Sequence, residues 1–501
     1  MIARRSLLIV VSTLLSSVLA LVGILAMTNY LGKDVYGNLA WVLATLATLN
    51  TVSDLGFGSA HIKRISEGQD ERDCFSTFIV IKVVLTGFMV VFVLAVLLLW
   101  NNVLGGEMSS ATWNMVLLFV LYYIMYDLST IVTTTFTAKM ETAKAQIVFM
   151  IDPFVRIPLI LFISFNHLSD YLAYAYVLAA IAVLAVSLIL LKRNDIRWKR
   201  PTLFRSYLKF ALPLSIISVA GAVTSNLDKI LIGYFDSPGN VAYFSSAQTL
   251  LGTLGIIGTA VATLAFPSFS KLDSEGDIEG IRRVTFTAER YMTMIIIPVV
   301  TLVVLFPTEI AVTIFGGQFR PAGDTMRFLA VDVAFTLLCQ IYISQILGVN
   351  RPDINAKIIL GSFVVNVALL IVFVPNELFG VKLLGMSYTG AAIAGTIGSL
   401  TVLVWVRLIV KKLTGTGYNP RILRHVLSGV AAGAVIVLLG TVYSLSGVVA
   451  LVIFSVVTLA SFFGAMAALK EFTSRDYHFF LDLLNPSKML NYMGGEMKGK
   501  K

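Results

Sequence analysis

Charged side chains are scarce in this sequence. Lys, Arg, Asp and Glu make up 13% of its 501 residues, about half of the roughly 25% found in a soluble globular domain. A chain so poor in charge is solvated mostly by something other than water. Cysteine is nearly absent as well. Cys74 and Cys339 lie far apart in apolar runs, which speaks against a disulfide framework or a thiolate metal site. The four histidines, His61, His167, His425 and His478, never fall at ligand spacing. There is no HExxH, no GxxxxGK[ST] phosphate loop, and no Asn-x-Ser/Thr acceptor free of an intervening proline. No cofactor, metal or enzymatic activity is expected.

What fills the chain instead is apolar: 57% of residues are hydrophobic and the mean hydropathy is +0.87. Runs of roughly 20 apolar residues recur, each enough to cross a hydrocarbon core about 30 Å thick. Backbone groups in lipid must be satisfied within the segment, so these runs predict helices. The short alternating stretches of a membrane barrel are missing. The expected class is an all-α polytopic membrane protein. The N-terminal "MIARRSLLIVVSTLLSSVLALVGILAM" is longer than the apolar region of a signal peptide and lacks a small-residue cleavage site. It is read as the first membrane helix, with Arg4 and Arg5 at its cytoplasmic start.

Fourteen spans are expected, near 6–28, 36–60, 74–100, 112–136, 146–165, 171–191, 210–235, 239–270, 286–306, 322–348, 356–375, 384–409, 426–444 and 447–469. Lys and Arg accumulate in cytoplasmic loops, which tests the count. With the N-terminus inside, the inner segments hold 31 of the 38 basic residues, and the outer loops hold only Lys33, Arg320 and Lys382. A missed span would swap every later loop, so the split supports fourteen spans with both termini cytoplasmic. Insertion also accounts for the net charge of +10, and nucleic acid is not an expected partner. Four bases remain: Lys82, Arg156, Lys229 and Arg327. Arg327 lies near an outer helix end and can snorkel.

The chain repeats itself weakly. "NYLGKDVYGNLAW" (Asn29–Trp41) returns as "GYFDSPGNVAYFS" (Gly233–Ser245) at an offset of 204 residues, and Asp127 and Asp332 sit at near-equivalent points. Both halves start on the same side, as in parallel repeats related by an axis along the membrane normal. The expected layout is an N-lobe over 1–191, a cytoplasmic linker over 192–209 and a C-lobe over 210–410. A second linker over 411–425, spans 13 and 14 over 426–470 and a cytoplasmic tail over 471–501 complete it. Two such lobes suit alternating access to a site between them. The longest outer loop, near 307–321, is too short for the catalytic domain of a membrane glycosyltransferase or ligase.

The segments "TNYLGKDVYGNLAWVLATLATLNTVSDLGFGSAHIKR" (Thr28–Arg64) and "LPLSIISVAGAVTSNLDKILIGYFDSPGNVAYFSSAQTL" (Leu212–Leu250) resemble the polysaccharide-biosynthesis flippases of the multidrug/oligosaccharidyl-lipid/polysaccharide exporter superfamily. Val241 departs from the glycine usual in that pattern. The resemblance implies two six-helix lobes plus two C-terminal helices, in the cell membrane. It also implies transport of a polyprenyl-(di)phosphate-linked oligosaccharide from the cytoplasmic to the outer leaflet. Membrane lipids, a coupling cation (Na+ or H+) and glycan-assembly proteins are the implied partners. A cation-coupled multidrug exporter of the same superfamily is the alternative.

An anion crossing the bilayer core requires a wet cavity with fixed positive charge. Lys229, Arg156 and Lys82 are the candidate substrate-binding bases. Asp228, Asn226 and Ser225 join Lys229 on a polar stripe of span 7. Each base has a structural reading too: an ion pair with another helix or snorkelling for Lys229, a structural pair for Arg156, and snorkelling for Lys82. A helix starting at Pro153 would be only about 20 Å long, so span 5 is expected to start near Ala145 and bend at Pro153 or Pro158. That places Arg156 deep, with Asp152 one turn away. Asp54, Asp127, Asp152 and Asp332 are the coupling-ion candidates, with Asp127 and Asp332 favoured as a pair because each half carries one. Gly429–Gly433 and Gly390/Ala394/Gly398 have the spacing of helix-packing contacts.

Overall fold

The computed structural model describes residues 2–102, 110–192 and 198–472. The tail expected over 471–501 lies, beyond Phe472, outside the described residues, as do 193–197 of the first linker and the side chains of Arg4 and Arg5. Apolar runs of this length have no water to satisfy their peptide groups, and they form helices almost throughout. In chain order these are α1 (Ile2–Ala26), α2 (Lys33–Asn50), α3 (Phe57–Ser66), α4 (Glu71–Asn102), α5 (Ser110–Ala138), α6 (Thr142–Phe165) and α7 (Leu172–Lys192). The second half holds α8 (Phe204–Phe235), α9 (Val241–Gly252), α10 (Gly255–Ser274), α11 (Ile278–Leu305), α12 (Pro307–Phe315), α13 (Ala322–Gly348), α14 (Pro352–Phe373) and α15 (Ser387–Thr414). The pair α16 (Arg421–Val442) and α17 (Gly447–Ala468) follows. Two short strands, β1 (Glu377–Leu378) and β2 (Val381–Lys382), make a hairpin between α14 and α15.

Among the described residues, thirteen helical segments are long and apolar enough to cross a membrane, or fourteen when the bent pair α2 and α3 counts as one span. The expected unbroken second span is thus corrected to two pieces meeting at 46°. Its cause is local. Leu55 and Gly56 adopt positive φ, at 43° and 83°, and the Asp54 carboxylate accepts the backbone N–H groups of Gly56 and Gly58 at 3.3 and 3.2 Å. Those bonds cap the start of α3 and replace the helical bonds lost at the break.

The internal repeat is visible in the packing. α1 lies on α6, α5 on α7 and α6 on α7 in the first half. The same partners recur six spans later as α8 on α14, α13 on α15 and α14 on α15. α16 and α17 pack on each other and on α11. Glycines at the expected spacing make close approach possible. Gly429 and Gly433 face Thr301 of α11, while Gly390 meets the Phe373 carbonyl at the end of α14. The buried Glu471 carboxylate pins the end of α17 by accepting from Arg290 at 2.8 Å and Arg424 at 3.0 Å.

The halves meet at both ends of the bundle through α2, α3, α8 and α9. Far from the basic loops, Gly37 of α2 lies against the backbone of Pro238 and Gly239, and the Trp41 indole occupies the space a side chain would take at Gly233. Asn29 donates to the Ile314 carbonyl at 3.2 Å, tying the segment 307–321, which is a short helix rather than an open loop, over this seam. At the basic end, Tyr207 of α8 bonds His61 of α3 at 2.8 Å and the Cys74 carbonyl at 3.2 Å. The linker is held there too: Lys199 reaches Asp70 at 2.6 Å and keeps its carboxyl below the ordinary range.

Candidate functional site

The polar stripe of α8 divides between two directions. Successive helical residues point about 100° apart, which separates Asp228 from Lys229. Asp228 is buried and accepts from Gln248 of α9 at 3.2 Å. Ser225 is exposed, and its hydroxyl returns to the Gly221 carbonyl at 2.9 Å. Asn226 and Lys229, three residues apart on one face, line a cavity of about 280 Å³ between the halves. The Lys229 ammonium meets no carboxylate within ion-pair distance among the described residues.

Arg156 enters the same cavity from α6. That helix starts at Thr142 and carries Pro153 and Pro158 in its interior. One Asp152 oxygen accepts from the Arg156 guanidinium at 3.0 and 2.6 Å. The guanidinium also lies 4.8 Å from the centre of the Tyr176 ring, a cation–π contact that fixes its plane. The remaining wall includes Tyr36, Tyr123, Ser245 and Thr249, with Ile24 of α1 and Met27 just after it. Two bases and one directly paired carboxylate leave the cavity with a positive balance, which suits an anionic group.

Lys82 lies elsewhere, and the snorkelling expected for it is corrected. Its side chain is 2% exposed and its ammonium donates to the Ser53 carbonyl at 3.1 Å and to Asp127 at 3.3 Å, with Asp54 at 3.9 Å. Ser53 donates to the same Asp127 oxygen at 2.9 Å. This network joins α4, α5 and the break between α2 and α3. The expected pairing of Asp127 with Asp332 therefore separates two unlike environments. Asp127 is neutralised by Lys82. Asp332 faces Gly395 and Ser399 of α15 and the Asp228 charge, and no ion pair joins Asp332 or Asp228 to a base among the described residues. Asp54 caps α3, and Asp152 is engaged by Arg156.

A second cavity, of about 620 Å³, lies between α1, α5, α6 and α7 and shares Arg156, Tyr123 and Ala20 with the first. Sequence reasoning missed its wall. The signal was present as Tyr122, Tyr123 and Tyr126, followed by Ser129, Thr130 and Thr133, an unusually polar face for a membrane helix.

Residues 2–273 match the family described as polysaccharide biosynthesis protein. The chain belongs to that family. This family member is 22% identical over 401 residues to the protein named probable low-salt glycan biosynthesis flippase Agl15 of Haloferax volcanii, covering 78% of this chain and 80% of the relative. Its fold is similar to a solved structure titled lipid II flippase MurJ in an inward closed conformation. The TM-score is 0.73 at 15% identity, over 95% of this chain and 99% of the other. An inward-facing multidrug resistance MATE family transporter is similar at a TM-score of 0.59 and 16% identity, over 80% and 96%.

Proposed function

We propose that this protein moves a lipid-linked oligosaccharide, carried on a polyprenyl phosphate or diphosphate, from the cytoplasmic to the outer leaflet of the cell membrane. It acts as a transporter and not as an enzyme. The carrying observation is the convergence of Lys229 and Arg156 on one cavity between the halves, with no carboxylate in ion-pair range of Lys229 among the described residues. A phosphate left unpaired in a low-dielectric site costs several kcal/mol or more. An ammonium and a planar guanidinium remove that cost, the latter by bidentate bonding. The phosphate takes Arg156 in competition with Asp152 and neutralises Lys229. The family and the name of the Haloferax relative support the glycan, and the positive cavity favours an anionic cargo over the cationic drugs of the alternative exporter reading.

The basic loops face the cytoplasm, with both termini on that side, and the lobes over 1–191 and 210–410 rock against each other, parting and closing the seam formed by α2, α8 and α9. Asp332 and Asp228 carry the coupling role. Buried carboxylates that form no ion pair among the described residues call for a proton or a cation such as Na+. The test is flipping of a fluorescent polyprenyl-phosphate-linked saccharide in proteoliposomes under imposed Na+ or proton gradients. Loss of a hydrogen bond to a charged group costs about 1.5–3 kcal/mol, so Lys229→Gln and Arg156→Gln each weaken lipid phosphate binding about ten- to hundredfold. Full export by correctly folded Lys229→Gln refutes the assignment.

A further inference from the structure

The second cavity has a chemistry of its own. Its charged side chains, Asp152 and Arg156, pair with each other at 2.6 Å, so its wall is nearly neutral. It is rich in hydrogen-bond acceptors. The α5 hydroxyls spend their protons on their own helix: Ser129 on the Tyr126 carbonyl at 2.6 Å and Thr130 on the Asp127 carbonyl at 2.7 Å. Thr137 donates to the Thr133 carbonyl at 2.9 Å. A hydroxyl whose proton is engaged still offers lone pairs. The Gln146 Oε1 is buried with no hydrogen-bond partner among the described residues. Beside these hydroxyls, on the same helix α5, stands an aromatic surface, the Tyr122 and Tyr126 rings, stacked with centroids 6.0 Å apart. Tyr126 is 44% exposed.

We propose that this cavity is the saccharide subsite, which rests on the lipid-linked glycan reading above. A hexose matches each property of the wall. It is uncharged, its rim carries hydroxyl donors for the acceptors of α5 and Gln146, and its C–H face stacks on an aromatic ring. An apolar tail would leave the Gln146 oxygen unsatisfied, and a second anion would find no unpaired base. The volume falls within the roughly 300–1,000 Å³ of small-molecule sites. Arg156 borders both cavities, so a phosphate held by Arg156 and Lys229 places the attached sugar at the mouth of the second.

The test uses the full-length protein in nanodiscs with two probes, dolichyl phosphate and dolichyl phosphoglucose. Tyr126→Ala and Gln146→Leu change two independent contacts, and thermal melting verifies their fold. Loss of aromatic stacking or of one good hydrogen bond weakens the glucose-bearing lipid about tenfold. Bare dolichyl phosphate binds the variants as it binds the wild type, and Arg156→Gln weakens both lipids. Equal loss for both lipids in the cavity variants, or loss for neither, overturns the subsite while leaving the flippase reading intact. A wild type that binds neither lipid overturns the flippase reading and the subsite with it. Weakened tetraphenylphosphonium binding with unchanged glycolipid binding in Tyr126→Ala also overturns the subsite.

Discussion

At the scale of single residues, three bases with similar sequence surroundings have different surroundings in the fold. Lys82 is buried on Asp127, Arg156 reaches a cavity while bonded to Asp152, and Lys229 faces that cavity with no carboxylate in ion-pair range among the described residues. Breaking a buried pair by removing one partner costs about 3–5 kcal/mol, because the other charge is stranded. Lys82→Met therefore lowers the melting temperature in detergent strongly, and adding Asp127→Leu recovers much of the loss. Thermal denaturation of the two single variants and the double variant measures this. A substrate-contacting lysine would instead lose transport with no loss of stability. The short list of intramembrane bases was legible from composition and topology. Which base had a partner was not, because Asp127 lies 45 residues from Lys82 in sequence and approaches it only once α4 packs on α5.

At the scale of elements, the two copies of the repeated motif touch each other. The Tyr-Gly-Asn of α2 and the Pro-Gly-Asn before α9 bring Gly37 against the Pro238–Gly239 backbone, and a Cβ at Gly37 would lie 2.7 Å from the Gly239 carbonyl oxygen. No backbone can yield cheaply at that distance. Gly37→Val consequently opens the seam and exposes a cysteine placed at Asn226 to a membrane-impermeant thiol reagent added from the outer side. Native Cys74 and Cys339 are buried, so background labelling stays low. Unchanged labelling of Asn226→Cys with and without Gly37→Val would contradict the gate. The "DLGFG" segment likewise has a structural reading: Asp54 caps α3 and Gly56 supplies the left-handed turn of the break. Much of the sequence that carries the family resemblance thus builds the seam and the bend, while its second segment also supplies Asn226 and Lys229 to the cavity.

At the scale of the whole molecule, alternating exposure requires the seam between α2 and α9 to part once per cycle. Asp34 lies against Gly239 across it, with the Asp34 Cα 3.7 Å from where a Cβ on Gly239 would stand. Backbones that approach this closely bring two cysteines within crosslinking reach, since a disulfide joins Cα atoms up to about 6.8 Å apart. The double variant Asp34→Cys with Gly239→Cys is expected to stop flipping on oxidation and to regain it on reduction, measured in the same proteoliposome assay. A crosslinked protein that transports at the full rate would exclude opening at this end.

Sequence by itself determined the membrane class, the approximate number and course of the spans, the internal repeat and the bases that insertion leaves unexplained. Each of these follows from local hydropathy or from charge counted along the chain. Lipid forces every span into a helix, and loop charge biases its orientation. Only the tertiary structure decided what those residues do. Ion pairing, cavity lining and the break in the second span depend on which helix faces confront each other, and packing across distant segments sets that. The acceptor-rich cavity beside Arg156 exists only because α1, α5, α6 and α7 enclose it.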